Sequence, residues 1–72
     1  MKMHELQHVI WKEGKYYVAQ CLNIDISSFG ANEDEALKNL DEALELYFED
    51  ESIQKITKIE RPILVKRSLQ HA

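Results

Sequence analysis

A chain of 72 residues and 8.5 kDa is long enough for one small domain. It has 44% hydrophobic and 31% charged residues, two glycines and one proline, which excludes collagen-like, low-complexity and disordered chains. A chain of this length buries only about 60% of its unfolded surface, so its core alone is marginal. The single cysteine, Cys21, cannot form an internal disulfide. We therefore expect a homodimer or a larger homo-oligomer.

Charge is distributed unevenly along the chain, whose net charge is −4. Residues 1–31 are neutral, residues 32–51 hold nine acidic residues and one lysine for −8, and residues 52–72 sum to +4. The acidic middle repels phosphate, so DNA binding is not expected. For the basic end, protection of a sheet edge and nucleic-acid binding remain alternatives. Short apolar runs argue against a membrane span, and a lone cysteine without a leader favours the cytoplasm.

Two alternating segments at the start of the chain predict an antiparallel hairpin. Residues 6–12 place large side chains on both faces of a strand, residues 15–21 are rich in strand-forming residues, and the Glu13-Gly14 pair supplies the turn. The alternation does not decide which face of the hairpin meets the rest of the fold. Trp11, Tyr16 and Tyr17 are therefore all candidates for the uncovered face.

A short third strand, ISSFG over residues 26–30, leads into the clearest element of the sequence. Asn32 followed three residues later by Glu35 has the spacing of a capping box, and it predicts a helix from Glu33 to Glu49. Gly30 marks the place where the backbone turns closely into this helix. The apolar residues recur at helical spacing, as expected for a helix lying on a sheet: Ala36, Leu37, Leu40, Ala43, Leu44, Tyr47 and Phe48.

The end of the chain is less regular. Ile53, Ile56 and Ile59 fit either a further helical turn or coil that covers the sheet edge. The Arg61-Pro62 pair ends any helix, and residues 63–67 (ILVKR) predict a fourth strand. The predicted order is β-β-β-α-β, an α+β fold with a small antiparallel-rich sheet, one helix on one face and a single domain.

Residues with potential chemistry lack the spacing of a catalytic or metal site. Asp25 is interpreted as a turn residue, and Cys21 as a small buried hydrophobe. His8 is interpreted as a partly covered structural histidine, with a partner contact or a metal ligand as the weaker alternatives. No glycine-rich loop is present to hold a phosphate. We expect no enzymatic activity, no metal and no cofactor.

Two surfaces are predicted to bind a partner. A single helix covers one face of a sheet, so large residues on the other face are candidate contacts. The outer side of the helix is acidic; it is either an ordinary solvated face or an anionic surface that steers a basic partner. The predicted partner-binding residues are Trp11 and Tyr17 from the sheet and Glu42, Glu45, Leu46 and Glu49 from the helix.

The segment from Tyr16 to Asp50, YYVAQCLNIDISSFGANEDEALKNLDEALELYFED, resembles the HicB-like antitoxin family of HicA-HicB toxin-antitoxin pairs. The likeness lies in the second strand, the Ile-Ser-Ser strand, Gly30, the Asn32-to-Glu35 cap and the Glu-Ala-Leu-Glu-Leu-Tyr stretch. It implies the same β-β-β-α-β fold, related to a degraded ribonuclease H core. It also implies a non-catalytic protein that binds and occludes a small basic HicA-type RNA-cleaving toxin.

Two departures from the family bear on function. Many members carry Pro-Gly-Cys near the third strand, where residues 23–26 are Asn-Ile-Asp-Ile. Full antitoxins usually append a DNA-binding segment, and residues 52–72 are too few for one, so DNA binding is not expected. Because the family includes solitary members, the alternative function is a regulatory or RNA-associated protein without a toxin partner.

Overall fold

A computed structural model describes residues 5–49 and 56–70, and it contains three strands followed by one helix. The strands pair antiparallel in the order β1-β2-β3. The elements are β1 (His8–Glu13), β2 (Tyr16–Cys21), β3 (Ile26–Gly30) and α1 (Glu33–Glu49). The α+β class, the hairpin and the bounds of the third strand and of the helix are confirmed.

The hairpin closes through a two-residue turn. Glu13 pairs with Tyr16, so Gly14 and Lys15 are the turn residues, one position later than predicted. Gly14 has φ 61°, whereas Lys15 is outside the left-handed region, as in a type II′ turn. This turn matches the right-handed twist of the strands and sets the register of the whole hairpin.

One face of the sheet packs against α1. The pleat places Ile10, Ala19 and Ile26 on this face, together with Cys21, which is 1% exposed as predicted. The buried hydrophobic residues of the described chain are Ala19, Cys21, Ile24, Ala36, Leu40 and Leu44. Three further members of the predicted helical stripe pack at the margin of this core: Leu37, Tyr47 and Phe48. The predicted amphipathic packing of the helix is thereby confirmed.

The N-terminus of α1 is capped as the sequence predicts. The Glu35 backbone N–H donates to Asn32 Oδ1 at 2.8 Å, and the Ala36 N–H donates to the Asn32 carbonyl at 3.0 Å. The Glu35 carboxylate accepts from the Ala31 N–H at 3.2 Å, one residue before the position used in a standard capping box. The Asn32 side chain thereby satisfies the Glu35 N–H, one of the donors that the first turn leaves without an intrahelical partner.

Gly30 allows the first turn of α1 to lie directly on β3. A Cβ at this position would lie 2.6 Å from the Ala36 nitrogen and 2.8 Å from the Glu35 Cβ. These distances are too short for a side chain, and the nearest atom is backbone. Gly30 is therefore required for space, and not for an unusual backbone angle.

Asn23 joins three separate parts of the chain at one end of the sheet. Its side-chain oxygen accepts from the Gln7 N–H at 2.8 Å, and its amide nitrogen donates to the Thr57 carbonyl at 2.8 Å. The Thr57 N–H in turn donates to the Asn23 carbonyl at 2.8 Å. Asn23 is 6% exposed, so these bonds are largely shielded from water. We call this set of bonds the Asn23 clamp.

The predicted fourth strand is wrong: residues 63–67 form no strand, and residues 56–70 contain neither helix nor strand. Ile63 and Leu64 are 81% and 94% exposed. The branched apolar residues of this segment supply strand propensity, but a strand also needs a hydrogen-bonding neighbour, and this segment has none in the described chain. Arg61 has φ 51°, a left-handed conformation, and Pro62 follows it.

The three isoleucines after the helix have different outcomes. Ile56 and Ile59 lie in coil, so of the two predicted alternatives the further helical turn is wrong for these residues. Ile59 is half-buried, whereas Ile56 is more exposed. Ile53 lies outside the described residues.

Gly30→Ala is expected to lower the free energy of unfolding by about 1–3 kcal/mol, because the new methyl group forces α1 away from β3. Gly14→Ala is the matched control: no atom lies within 4 Å of its Cβ, and only the positive φ opposes it, at about 1 kcal/mol. Urea unfolding followed by circular dichroism at one protein concentration measures both. A loss at Gly30 no greater than that at Gly14 would contradict the close packing.

Asn23→Asp keeps the acceptor for Gln7 but places a carboxylate oxygen against the Thr57 carbonyl. We expect a loss of about 1–3 kcal/mol in the free energy of unfolding, since a buried donor is replaced by a repelling acceptor. Asn39→Asp is the control, because the Asn39 amide also donates to a carbonyl at 2.8 Å, that of Phe29, but in an exposed position. The same unfolding measurement should give a smaller loss there; equal losses refute the role of burial.

Candidate functional site

The face of the sheet opposite α1 carries an exposed aromatic cluster. The strand register places Trp11, Val18 and Phe29 in one row across the sheet, on the same side as Tyr16. Trp11, Tyr16 and Phe29 are 40%, 57% and 63% exposed. The rings of Tyr16 and Phe29 pack edge to face with their centroids 5.9 Å apart. We call these four residues the aromatic face.

A shallow recess of about 520 Å³ lies on this face beside the hairpin turn. Its lining is more apolar than polar, as is common at protein contact surfaces. Glu13 is the charged residue in the lining, which consists of Glu13, Tyr16, Val18, Ser27, Ser28 and Phe29. The recess suits an inserted apolar side chain better than a charged ligand.

The outer side of α1 is a second exposed surface, and it is acidic. Residues 42, 45, 46 and 49 fall within about one quarter of the helical circumference, because successive residues are about 100° apart. All four are exposed, and Leu46 is 68% exposed. No carboxylate of α1 forms an ion pair with a described residue, so this negative charge is not neutralised within the described chain. We call Glu42, Glu45, Leu46 and Glu49 the acidic helix face.

The structure separates the predicted partner-binding residues into three places. Trp11 lies on the aromatic face, and the four helix residues lie on the acidic helix face at the opposite side of the molecule. Tyr17 points toward the helix, half-buried against the core. The predicted residues therefore do not form one continuous surface, and Tyr17 lies on the opposite side of the sheet from Trp11.

Sequence reasoning named Tyr16 as a candidate for the uncovered face, but it left both Tyr16 and Phe29 out of the predicted partner-binding residues. The missing information was the hairpin register: once Glu13 pairs with Tyr16, Trp11 must pair with Val18 and share its face with Tyr16. A two-residue turn centred on Gly14 and Lys15 specifies that register. The position of the glycine was therefore the signal that pointed to Tyr16.

The residues with potential chemistry lie apart from both surfaces. His8 pairs with Cys21 across the strands on the helix-facing side, and its buried Nδ1 has no hydrogen-bond partner among the described residues. Asp25 is exposed in the turn between β2 and β3, as predicted. Within residues 5–49 and 56–70, no group of three or more histidine, cysteine or acidic residues is arranged to hold a metal ion.

In the same two ranges, the helix is too short and too polar to cross a membrane. Comparisons of the chain with protein-family models, with curated proteins and with solved structures gave no match. The case for function therefore depends on the two surfaces and on the residues that form them.

Proposed function

We propose that this protein is a HicB-like antitoxin that binds a small basic HicA-type RNA-cleaving toxin and occludes its active site without itself catalysing a reaction. The observation that carries the proposal is the aromatic face, an exposed cluster of three aromatic side chains on a rigid sheet. The resemblance of Tyr16 to Asp50 to the antitoxin family supports it. So does the negative charge of the chain before the basic segment.

The aromatic face has the properties of a binding hot spot. Tryptophan and tyrosine contribute much of the energy at protein interfaces, because each buries a large area and loses few rotamers. Strand pairing already holds Trp11, Tyr16 and Phe29 in place, so little further ordering opposes binding. A toxin seated on this face would remove the largest exposed aromatic groups of the sheet from water.

Electrostatics favours a basic partner. Residues 5–49 contain ten acidic residues and three lysines, for a net charge of −7. The electrostatic field of this negative charge raises the rate at which a basic protein encounters the chain more than it strengthens the final contact. The acidic helix face points away from the sheet, so at least the thickness of α1, about 10 Å, separates its carboxylates from a toxin on the aromatic face. This distance is comparable with the Debye length at physiological salt. These carboxylates therefore act mainly on the approach of the toxin.

Self-association and a cytoplasmic location belong to the same proposal. The core contains few large side chains, which supports the need for a partner. The free Cys21 thiol is buried, which suits a reducing compartment. The alternative, a solitary regulatory or RNA-associated protein, makes no use of a toxin, so the following experiment separates the two.

Co-expression of the full chain should restore growth that is arrested by the small basic protein encoded in a neighbouring reading frame. Trp11→Ser with Phe29→Ser should abolish this rescue, because each lost aromatic contact costs about 2 kcal/mol or more at a hot spot. Ile56→Ser is the control: Ile56 is 38% exposed, much like Trp11, and belongs to neither the aromatic face nor the acidic helix face. Full rescue by the double variant, or a neighbourhood without a growth-arresting protein, contradicts the proposal.

Glu45→Lys with Glu49→Lys is expected to slow toxin association at low ionic strength, with the difference shrinking as salt is added. Stopped-flow or surface-binding kinetics gives the association rate constant directly. Glu5→Lys with Asp25→Lys changes the net charge equally, at exposed positions away from the helix. An unchanged rate at low salt for the helix variant, or equal slowing by both variants, refutes steering by the acidic helix face.

A further inference from the structure

The last described segment of the chain, residues 62–70, is exposed along its whole length. We call it the arm. Its large apolar residues, Ile63, Leu64, Val65 and Leu69, are 81%, 94%, 66% and 88% exposed. Branched side chains in an extended segment are typical of a strand, yet the arm has no strand neighbour in the described chain. Nine residues with this much uncovered apolar surface indicate an interaction segment.

The outer edge of β1 is an open position in the sheet. The Leu22 N–H donates to the Gln7 carbonyl at 2.8 Å, which fixes the alternation of bonded and non-bonded pairs between β1 and β2. The backbone N–H and C=O groups that point away from β2 therefore belong to His8, Ile10 and Lys12. In the described chain, β2 is the strand neighbour of β1. These outward groups are available to another strand.

The opposite edge of the sheet, that of β3, is partly occupied. The same alternation points the Phe29 carbonyl outward from β3, and the Asn39 side chain donates to it at 2.8 Å. In addition, α1 packs chiefly on β3 and β2. Of the two edges, that of β1 is the one that a further strand can reach without displacing the helix.

We propose that the arm of each chain pairs as a fourth strand with the β1 edge of a second copy, in a reciprocal two-fold dimer. Each copy carries one arm and one open edge, so exchange satisfies both in a closed assembly. Charge favours the approach of the arm to a second copy, since the arm contains Lys66 and Arg67 with no acidic residue, whereas residues 5–49 carry −7, mostly on α1. The arm gains the neighbour that its own chain does not provide.

The hinge before the arm explains why a second copy is the partner. The Asn23 clamp holds Thr57 at the end of the sheet where β1 begins, beside a recess that includes Glu5 and Gln7. From there the left-handed Arg61 and Pro62 lead the chain into solvent instead of along its own β1. Short, strained hinges of this kind favour exchange between copies.

This inference goes beyond toxin binding, and the two have separate readouts. Sedimentation of the full wild-type chain over nanomolar to micromolar concentrations should give a dimer. Hydrogen exchange should show amides of residues 63–67 that become protected as the dimer forms. A monomer with unprotected arm amides overturns the proposal. So does a monomer with protected arm amides, because the arm would then pair with its own sheet.

Two variants test the two halves of the contact. Lys12→Pro removes an outward N–H of β1 and no bond to β2, and Lys12→Ala is its control. Consecutive N–H groups of a strand point to opposite sides, so Val65→Pro with Lys66→Pro removes one N–H from each side of the arm, whichever side faces β1. Val65→Thr with Lys66→Gln is its control. Each proline variant should raise the dissociation constant of the dimer about 100-fold or more, whereas its control should not.

An equimolar mixture of the two proline variants gives the decisive result. In a mixed pair, the Lys12→Pro chain supplies an intact arm and the arm variant supplies an intact β1 edge. Dimers should therefore reappear in the mixture, although neither variant forms them alone. Dimers that persist in each variant alone, or a mixture that stays monomeric, overturn arm exchange. Circular dichroism confirms that each variant keeps its helix; if one unfolds, the concentration dependence of wild-type amide protection decides.

Discussion

The contact between Gly30 and the first turn of α1 determines how this small fold packs. With only a hydrogen at this Cα, the helix begins in direct contact with β3, and Ala36, Leu40 and Leu44 follow over the sheet at helical spacing. A helix about 10 Å wide covers roughly two strands spaced about 4.8 Å apart. The edge at β1 and the whole opposite face are therefore left without a covering layer by the described part of the chain.

Elements specified by neighbouring residues were predictable from the sequence. The helix begins at Glu33 because Asn32 and Glu35, three residues apart, satisfy the first free N–H groups. Gly30 was also predicted to permit a close turn, since no other residue type removes the Cβ. In both cases the physical cause lies within a few residues of its effect, where a sequence pattern is informative.

Features that depend on distant partners were not predictable in the same way. The bonds of Asn23 were not predicted, because its partners Gln7 and Thr57 lie 16 and 34 residues away. The strand predicted at residues 63–67 has the right side chains, but its pairing partner is not encoded in those residues. The aromatic face was only partly predicted: β1 is apolar on both sides, so choosing between Trp11 and Ile10 required the strand register.

The Asn23 clamp limits how far the proposed strand can move. Only four residues separate Thr57 from Pro62, a tether of at most about 18 Å, so the arm remains close to the end of the sheet. Once one arm is seated on a second copy, the other arm faces its own acceptor at an effective concentration in the millimolar range. The second seating is then unimolecular. Half-formed pairs should close faster than they separate, which would give this small protein a long-lived assembly from two individually weak contacts.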